Sequence, residues 1–196
     1  MFEVRIHGRG GQGVVTAAGL LSVAAFLDGK YAQAFPSFGS ERTGAPVAAF
    51  CRIDEKEIRS REPVVRPDAL IVQDATLLHQ VAVFDGLAPA GYLLINSSRS
   101  LAQLGLGEFL EGFRPDRILA VPATDLAREH LGRPVPNVVL LGGFAALTGR
   151  VSPDSVVAAI RERFTGTVAD GNVAAARSAF DFVRTEMRGL AGVAAN

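Results

Sequence analysis

The sequence contains a single cysteine, Cys51, among 196 residues. One thiol excludes an intrachain disulfide, and it excludes an iron–sulfur cluster or a structural zinc site held by several cysteines of this chain. The three histidines, His7, His79 and His130, lie far apart and show no metal-ligand spacing. Cys51 stands within the apolar run 47–53, which predicts a buried strand and an inert core thiol.

The sequence also lacks an excess of charge of either sign, because 20 Lys and Arg residues balance 20 Asp and Glu residues. A surface for nucleic acid or for an anionic membrane is therefore not expected. No apolar run reaches about 18 residues and the N-terminus does not resemble a signal peptide, which predicts a cytoplasmic protein. Apolar residues still make up 48% of the chain, which indicates that part of its surface lies in interfaces.

Short apolar runs alternate with helical patterns along the chain, as is typical of an α/β protein with a mostly parallel sheet. We expect one Rossmann-like domain over residues 1–196, with a sheet flanked by helices, a helical C-terminal part and a frayed tail at 189–196. The predicted strands cover residues 2–7, 31–35, 47–53, 69–73, 92–95 and 117–123. The predicted helices cover residues 14–27, 76–83, 124–130, 138–148, 154–164 and 173–188.

A glycine-rich turn, residues 8–13 (GRGGQG), joins the first strand to the first helix. Glycine permits a sharp bend and the close approach of a ligand or partner chain, and the helix N-terminus favours a phosphate or carboxylate. A dinucleotide site also needs an acid about 20 residues further on, at the tip of the second strand. That tip, residues 35–38 (FPSF), has no acid, and Asp28 precedes the strand. A stand-alone nucleotide-binding oxidoreductase is therefore only the alternative interpretation.

Polar residues also follow other predicted strands. Asp74 and Asn96 stand at strand tips, and ligands in open α/β sheets bind beyond the carboxyl ends of the strands. We expect the functional surface at that edge, although helix capping is the preferred role for both side chains. By the same reasoning, Asn137 is predicted to cap the helix 138–148 and Asn172 to cap the last helix.

The glycine turn is followed by a second motif, residues 36–47 (PSFGSERTGAPV), and together they resemble the gamma subunit of 2-oxoacid:ferredoxin oxidoreductases. The motifs are closest to the pyruvate and 2-ketoisovalerate types, and the same unit forms the gamma domain of single-chain pyruvate:ferredoxin oxidoreductase. The resemblance continues through residues 137–143 and 147–149 to Asn172. It implies a small non-catalytic subunit of a complex that converts a 2-oxoacid and coenzyme A (CoA) to acyl-CoA and CO₂, reducing ferredoxin or NAD(P).

The resemblance also implies the cofactors and partners of the chain. Thiamine diphosphate, Mg²⁺ and [4Fe-4S] clusters would be held by the other subunits, and this chain alone would bind no cofactor. Its partners would be alpha, beta and ferredoxin-like (delta) subunits in a hetero-oligomer, together with CoA as substrate. A scaffold protein of the same fold is a further alternative.

The two motifs supply the site residues, and none of them is expected to be catalytic or to bind a metal. In one interpretation the glycine turn binds phosphates of CoA, with charge-assisted hydrogen bonds from the two arginines. In the other, the glycines permit tight subunit packing and an ion pair of the second motif joins another subunit. The residues are Arg9, Gly10, Gly11, Gln12, Gly13, Ser40, Glu41, Arg42 and Gly44, and the ion pair would be Glu41–Arg42.

Overall fold

A six-stranded sheet forms the centre of the protein in a computed structural model that describes residues 1–37 and 43–194, except for the side chains of 191–194. The strands are β1 (Phe2–Arg9), β2 (Tyr31–Pro36), β3 (Pro46–Asp54), β4 (Ala69–Val72), β5 (Tyr92–Asn96) and β6 (Ile118–Val121). They lie in the order β2-β3-β1-β4-β5-β6, and β3 is antiparallel to both of its neighbours. The other pairs are parallel, which confirms the predicted α/β fold with a mostly parallel sheet.

The helices are distributed unequally between the two faces of the sheet. They are α1 (Val14–Leu27), α2 (Gly107–Leu110), α3 (Ala123–Leu131), α4 (Asn137–Thr148), α5 (Pro153–Arg163) and α6 (Gly166–Ala194), with 3₁₀ turns at Ala75–His79 and Pro115–Arg117. All the longer helices share one apolar core with the same face of the sheet. The opposite face of β4, β5 and β6 is covered by the turns and the short helix α2 between residues 75 and 113.

Helix α1 begins and ends where the sequence predicts. It starts after Gly13, whose φ of 71° is in the left-handed region, and it ends at Leu27. Asp28 then accepts hydrogen bonds from the backbone N–H (2.6 Å) and the hydroxyl (2.7 Å) of Ser152. Ser152 is the N-cap of α5, with Pro153 at the first helical position, as the Ser-Pro pair in the sequence predicts. One carboxylate therefore joins the end of α1 to the start of α5.

Helices α4 and α6 touch at the level of the backbone. A Cβ atom built on Gly142 would lie 1.9 Å from the carbonyl oxygen of Ala176, so no larger residue fits at this crossing. Two adjacent glycines, Gly142 and Gly143, within the predicted helix 138–148 indicate such close packing, which the structure confirms.

Two helix predictions are wrong. The predicted helix 76–83 is a 3₁₀ turn that ends at His79, because the chain turns inward and the carbonyl of Val83 accepts a hydrogen bond from the guanidinium of Arg5 (3.1 Å). Helix α6 begins at Gly166 and not at residue 173, so Asn172 lies inside the helix and does not cap it. The same helix extends to Ala194, so residues 189–194 are helical where a frayed tail was expected.

Candidate functional site

The glycine turn lies at the edge of the sheet where β1, β2, β4, β5 and β6 end, which we call the carboxyl edge. The segment 43–45 returns to the same edge. The backbone N–H of Gly10 donates to the carbonyl of Ala45 (2.9 Å), and the N–H of Gly44 donates to the carbonyl of Gly10 (3.0 Å). The two motifs singled out in the sequence therefore form one surface.

Three glycines of this surface have conformations that other residues rarely adopt. The φ angles of Gly11, Gly13 and Gly44 are 91°, 71° and 80°. A Cβ atom on Gly11 or Gly44 would have no neighbour within 4 Å, so at these positions the structure requires the backbone conformation and not the small size. The remaining residues of the second motif in the predicted site, Ser40, Glu41 and Arg42, lie outside the described residues.

The guanidinium of Arg9 is bonded to the protein itself. Its Nε donates to Asp74 (3.0 Å), and one terminal nitrogen donates to the carbonyl of Gly44 (3.0 Å). The other terminal nitrogen donates to the side chains of Thr76 and Gln80, both at 2.7 Å. Arg9 thus ties the glycine turn to the segment 43–45 and to the 3₁₀ turn after β4.

Asp74 is the centre of this network. Its carboxylate caps the 3₁₀ turn by accepting from the N–H of Thr76 (3.0 Å), which confirms the predicted capping role, and it also accepts from the amide of Gln12 (2.9 Å). Burial opposes ionisation, but hydrogen bonds from Thr76 and Gln12 and the charge of Arg9 outweigh it and lower the pKa of Asp74. Gln12 in turn accepts from the N–H of Arg9 (2.8 Å), so its amide also stabilises the turn internally.

The end of the glycine turn is in contact with Asn137, for which the sequence-based prediction is wrong. Asn137 is the first residue of α4 and makes no capping bond, because Pro136 occupies the N-cap position. Its amide instead donates to the carbonyl of Gly13 (3.3 Å). A Cβ atom on Gly13 would lie 2.3 Å from that amide nitrogen, so Gly13 is required both for its φ angle and for its size.

The N-terminus of α1 at the carboxyl edge carries no neutralising group. Gly13 provides no side-chain cap and the first turn contains no acidic residue. The first intrahelical bond runs from the N–H of Ala17 to the carbonyl of Gly13 (2.9 Å), so the N–H groups of residues 14–16 have no partner within the helix. This end of the helix therefore attracts an anion.

Sequence reasoning did not identify Gln73, which lies beneath the glycine turn. Its side chain is 1% exposed, and neither its amide nitrogen nor its oxygen has a hydrogen-bond partner among the described residues. A Cβ atom on Gly8 would lie 2.6 Å from Cγ2 of Val14 and 3.2 Å from the Gln73 oxygen, which explains the glycine at the start of the turn. The position of Gln73 directly after β4, at the carboxyl edge, could have indicated a role at this site. The sequence-based prediction named only the next residue, Asp74.

Asn96 has the predicted capping role, and the helix concerned is α3. Its side-chain oxygen accepts from the N–H of Thr124 in the first turn of α3 (3.0 Å), and its amide donates to the Thr124 hydroxyl (2.8 Å). The amide also donates to the carbonyl of Gln73 (2.8 Å). Asn96 therefore stabilises the carboxyl edge by joining β4, β5 and α3.

The described residues do not suit a metal centre or an iron–sulfur cluster. Cys51 is fully buried in β3, as predicted, and burial raises the pKa of its thiol. His7 is also largely buried, and burial together with the charge of Arg5 lowers its pKa to about 4. No group of three or more metal-ligating side chains occurs in residues 1–37 and 43–194. No helix in this part of the chain has the length and apolar character to cross a membrane.

The geometry disfavours a dinucleotide site at the glycine turn. Strand β3 lies between β1 and β2, so the second strand is not adjacent to the first as the dinucleotide fold requires. Asp28 is engaged with Ser152 at the start of α5. The ribose-binding acid is therefore absent from the described part of the carboxyl edge.

Comparisons with known proteins agree with the motifs. Residues 3–182 match the family described as pyruvate ferredoxin/flavodoxin oxidoreductase. Pyruvate synthase subunit PorC of Methanothermobacter thermautotrophicus is 48% identical over 181 residues, which is 92% of this chain and 95% of that protein. The common gamma subunit of the pyruvate/ketoisovalerate oxidoreductases of Pyrococcus abyssi is 47% identical over 183 residues, 92% of this chain and 96% of that protein.

A crystal structure gives the same result for the fold. Pyruvate oxidoreductase subunit PORC of Thermotoga maritima superposes with a TM-score of 0.78 at 38% sequence identity, covering 92% of this chain and 95% of that chain. Sequence and fold therefore match proteins of gamma type over nearly their whole length, which confirms the resemblance inferred from the motifs. The chain belongs to the pyruvate ferredoxin/flavodoxin oxidoreductase family.

Proposed function

We propose that this chain is the gamma subunit of a thiamine diphosphate-dependent complex that oxidises a 2-oxoacid with CoA to acyl-CoA and CO₂. The family assignment and the names of its relatives support this role. Pyruvate or a branched-chain 2-oxoacid is the substrate we propose. The chain supplies no acid, base or nucleophile, because the carbanion chemistry belongs to thiamine.

The proposed partners are alpha, beta and ferredoxin-like delta subunits, which hold thiamine diphosphate, Mg²⁺ and the [4Fe-4S] clusters. The single Cys51 supports this division of labour, because cluster ligation needs several thiolates. The cytoplasmic location and the single domain over residues 1–196 stay predictions from the sequence.

We further propose that the carboxyl edge contributes to CoA binding. The observation that carries this proposal is the uncapped N-terminus of α1, which directly follows the glycine turn. Because CoA carries a pyrophosphate and a 3′-phosphate, backbone N–H groups at this position suit one of its anionic groups. Arg42 of the second motif adds a cation, whereas Arg9 mainly positions the turn, since most of its donors are bonded to the protein.

Native purification through an affinity tag on this chain tests the subunit role. We expect larger chains to co-elute with bound thiamine diphosphate and iron, and the complex to consume one 2-oxoacid only when CoA is present. A chain that elutes alone, without iron or thiamine, would contradict the proposal.

The CoA contribution is tested in the purified complex by Arg42→Gln. We expect the KM for CoA to rise about 10-fold while the KM for the 2-oxoacid stays the same, because a charge-assisted hydrogen bond is lost. Arg59→Gln is the matched control, since Arg59 is 85% exposed and Glu57 is its one ion-pair partner among the described residues. If Arg42→Gln weakens assembly and leaves the KM for CoA unchanged, the ion-pair interpretation of Glu41 and Arg42 is correct.

A further inference from the structure

Helix α1 has an outer side that the described residues leave uncovered. Val15, Gly19, Ser22 and Phe26 follow one another at spacings of four, three and four residues, which places them in one stripe along the helix. Val15 is 40% exposed and Phe26 is 71% exposed, whereas the opposite side of the helix is buried in the core. We call this stripe, together with Val23 beside it, the α1 face.

The α1 face carries no charge. All 14 residues of α1 are uncharged, although the exposed side of a surface helix usually carries charged or polar residues. The hydroxyl of Ser22 donates to the carbonyl of Gly19 (3.0 Å), so this side chain is bonded within the helix itself. The charged residues that follow the helix, Asp28 and Lys30, are bonded to the start of α5 and to the carbonyl of Arg150. A helix that is apolar on all sides is typical of one with neighbours on all sides.

Gly19 is not explained by the packing of the described residues. A Cβ atom on Gly19 would have no neighbour within 4 Å among them, and its φ angle is not in the left-handed region. Glycine in the interior of a helix is less favourable than alanine. A molecule that packs over this position accounts for the missing side chain.

The α1 face is concave. The small residues Gly19 and Ser22 lie at its centre, and the larger Val15 and Phe26 lie at its ends. A depression of about 470 Å³ follows the face, lined also by Ala34 of β2 and by the last turn of α5. The surface that covers it must therefore be convex at its centre.

These features select the molecule that covers the face. Residues at a four–three–four spacing pack lengthwise against a second helix, at a crossing angle of about 20°. A second copy of α1 does not fit, because two concave stripes leave a void between their centres, and protein interiors are packed without such voids. Glu162 and Arg163 at the rim have opposite charges, so the whole surface has no net charge and matches an uncharged helix.

We propose that the α1 face is a subunit interface, on which a helix of a larger subunit packs lengthwise and inserts a bulky apolar side chain over Gly19. This inference rests on the proposed function, which makes the chain part of a hetero-oligomer. Apolar interfaces of this kind are typical of subunits that stay associated. Leu27 and Tyr31, which are 41% and 52% exposed, extend the contact beyond the end of the stripe.

The test is Gly19→Leu in the tagged chain. The variant chain alone should unfold at the same or a higher urea concentration than the wild type, because leucine favours a helix and has open space at this position. Its assembly with the larger subunits should weaken at least 10-fold, measured from the dilution midpoint of the complex, because the leucine occupies the space of the partner's side chain. Gly189→Leu is the matched control, since Gly189 also lies within a helix and has open space, and it should leave assembly unchanged.

Thiol labelling of Ser22→Cys is a second measurement. The only natural cysteine, Cys51, is fully buried and does not compete for the reagent. We expect labelling to be at least 10-fold slower in the complex than in the chain alone. Thr185→Cys is the control, because Thr185 is exposed on α6 and its hydroxyl is likewise bonded to a carbonyl of its own helix. Its labelling rate should be the same in both states within twofold.

The outcomes separate this inference from the proposed function. If the wild-type chain assembles and Gly19→Leu assembles equally well, or if Ser22→Cys is labelled equally fast in the complex, the inference is wrong and the subunit role stands. If the wild-type chain elutes alone, the proposed function fails and the inference fails with it. A homodimer of the chain that Gly19→Leu dissociates would assign the α1 face to a second copy and overturn the inference.

Discussion

The glycine turn lies beside a groove that Thr16, Asn137 and Thr167 line from the first turns of α1, α4 and α6. The two regions use their polar groups in opposite ways. In the turn, Arg9, Gln12 and Asp74 are bonded to one another and to their neighbours. In the groove, Arg133 and Arg163 form no ion pair with a described residue, and the helix ends are uncapped. In the motif that is most visible in the sequence, the polar side chains are therefore largely bonded within the protein, and the unbonded donors lie beside it.

The largest expected loss of stability follows Gly13→Ala. The substitution forces alanine into a left-handed conformation and drives its Cβ into the buried amide of Asn137. We expect the free energy of unfolding to fall by about 2–4 kcal/mol, measured by urea unfolding of the purified chain. Gly11→Ala is the control, because it has a similar φ angle but open space, and it should cost about 1 kcal/mol. Equal costs would show that contact with Asn137 does not constrain the turn.

The next effect is expected from Asp74→Asn, which removes the charge at the centre of the network. The variant loses the ion pair with Arg9 and has a weaker hydrogen bond with Gln12. The free energy of unfolding should therefore fall by about 1–3 kcal/mol at pH 7. Asp116→Asn, in an exposed pair with Arg114, should cost less than about 0.5 kcal/mol.

The Asp74 effect should depend on pH. Because the pKa of Asp74 is lowered in the folded protein, its stabilisation is present above the unfolded pKa of about 4 and is lost as the pH falls through the folded value. The stability difference between wild type and Asp74→Asn should therefore shrink below about pH 4. A difference that is constant from pH 7 to pH 3 would show that the charge of Asp74 is not what stabilises the turn.

A smaller effect, in the opposite direction, is expected from Gln73→Met. The buried amide of Gln73 has no partner among the described residues, so an apolar side chain of similar length avoids its desolvation. The unfolding free energy should stay the same or rise by up to about 1 kcal/mol, as seen in thermal or urea unfolding. A loss above 1 kcal/mol would mean that the amide has a partner in solution.

The smallest effect on stability is expected in the groove itself. Arg133→Gln and Arg163→Gln should each change the unfolding free energy by less than about 0.5 kcal/mol, because both side chains are exposed and form no ion pair with a described residue. Urea unfolding of the two single variants checks this. A large loss of unfolding free energy would show that these two arginines stabilise the fold, as the bonded side chains of the glycine turn do.

Local features of the fold were predictable from the sequence, whereas long-range contacts were not. The glycines at 13 and 29 delimit α1, so its bounds follow from the chain itself. The partners of Arg9 stand 65, 67 and 71 residues away, so they can be known only once β4 is placed beside β1. The order of the strands, with β3 inserted between β1 and β2, is likewise set by packing and not by any local pattern.

The errors at Asn137 and Asn172 have a common cause. Both residues have the chemistry of an N-cap, but tertiary contacts decide their roles. Asn137 turns towards Gly13. Helix α6 continues through position 171, where glycine is needed because a Cβ atom would lie 2.7 Å from the side chain of Leu131 and 2.8 Å from the carbonyl of His130. A glycine that sequence rules treat as a break is in this case required by helix packing.

The insertion of β3 has a consequence for how the protein can change over time. The sheet holds both ends of the β2–β3 connection, through the bond from the Ser37 N–H to the Ala48 carbonyl (2.9 Å) and through the pairing of Gly10 with Gly44. Lengthening a connection whose ends are fixed costs only about 0.6 kcal/mol for each doubling. The segment between them can therefore be lengthened or exchanged without disturbing the sheet, so evolution or protein engineering can alter recognition at this edge independently of the fold.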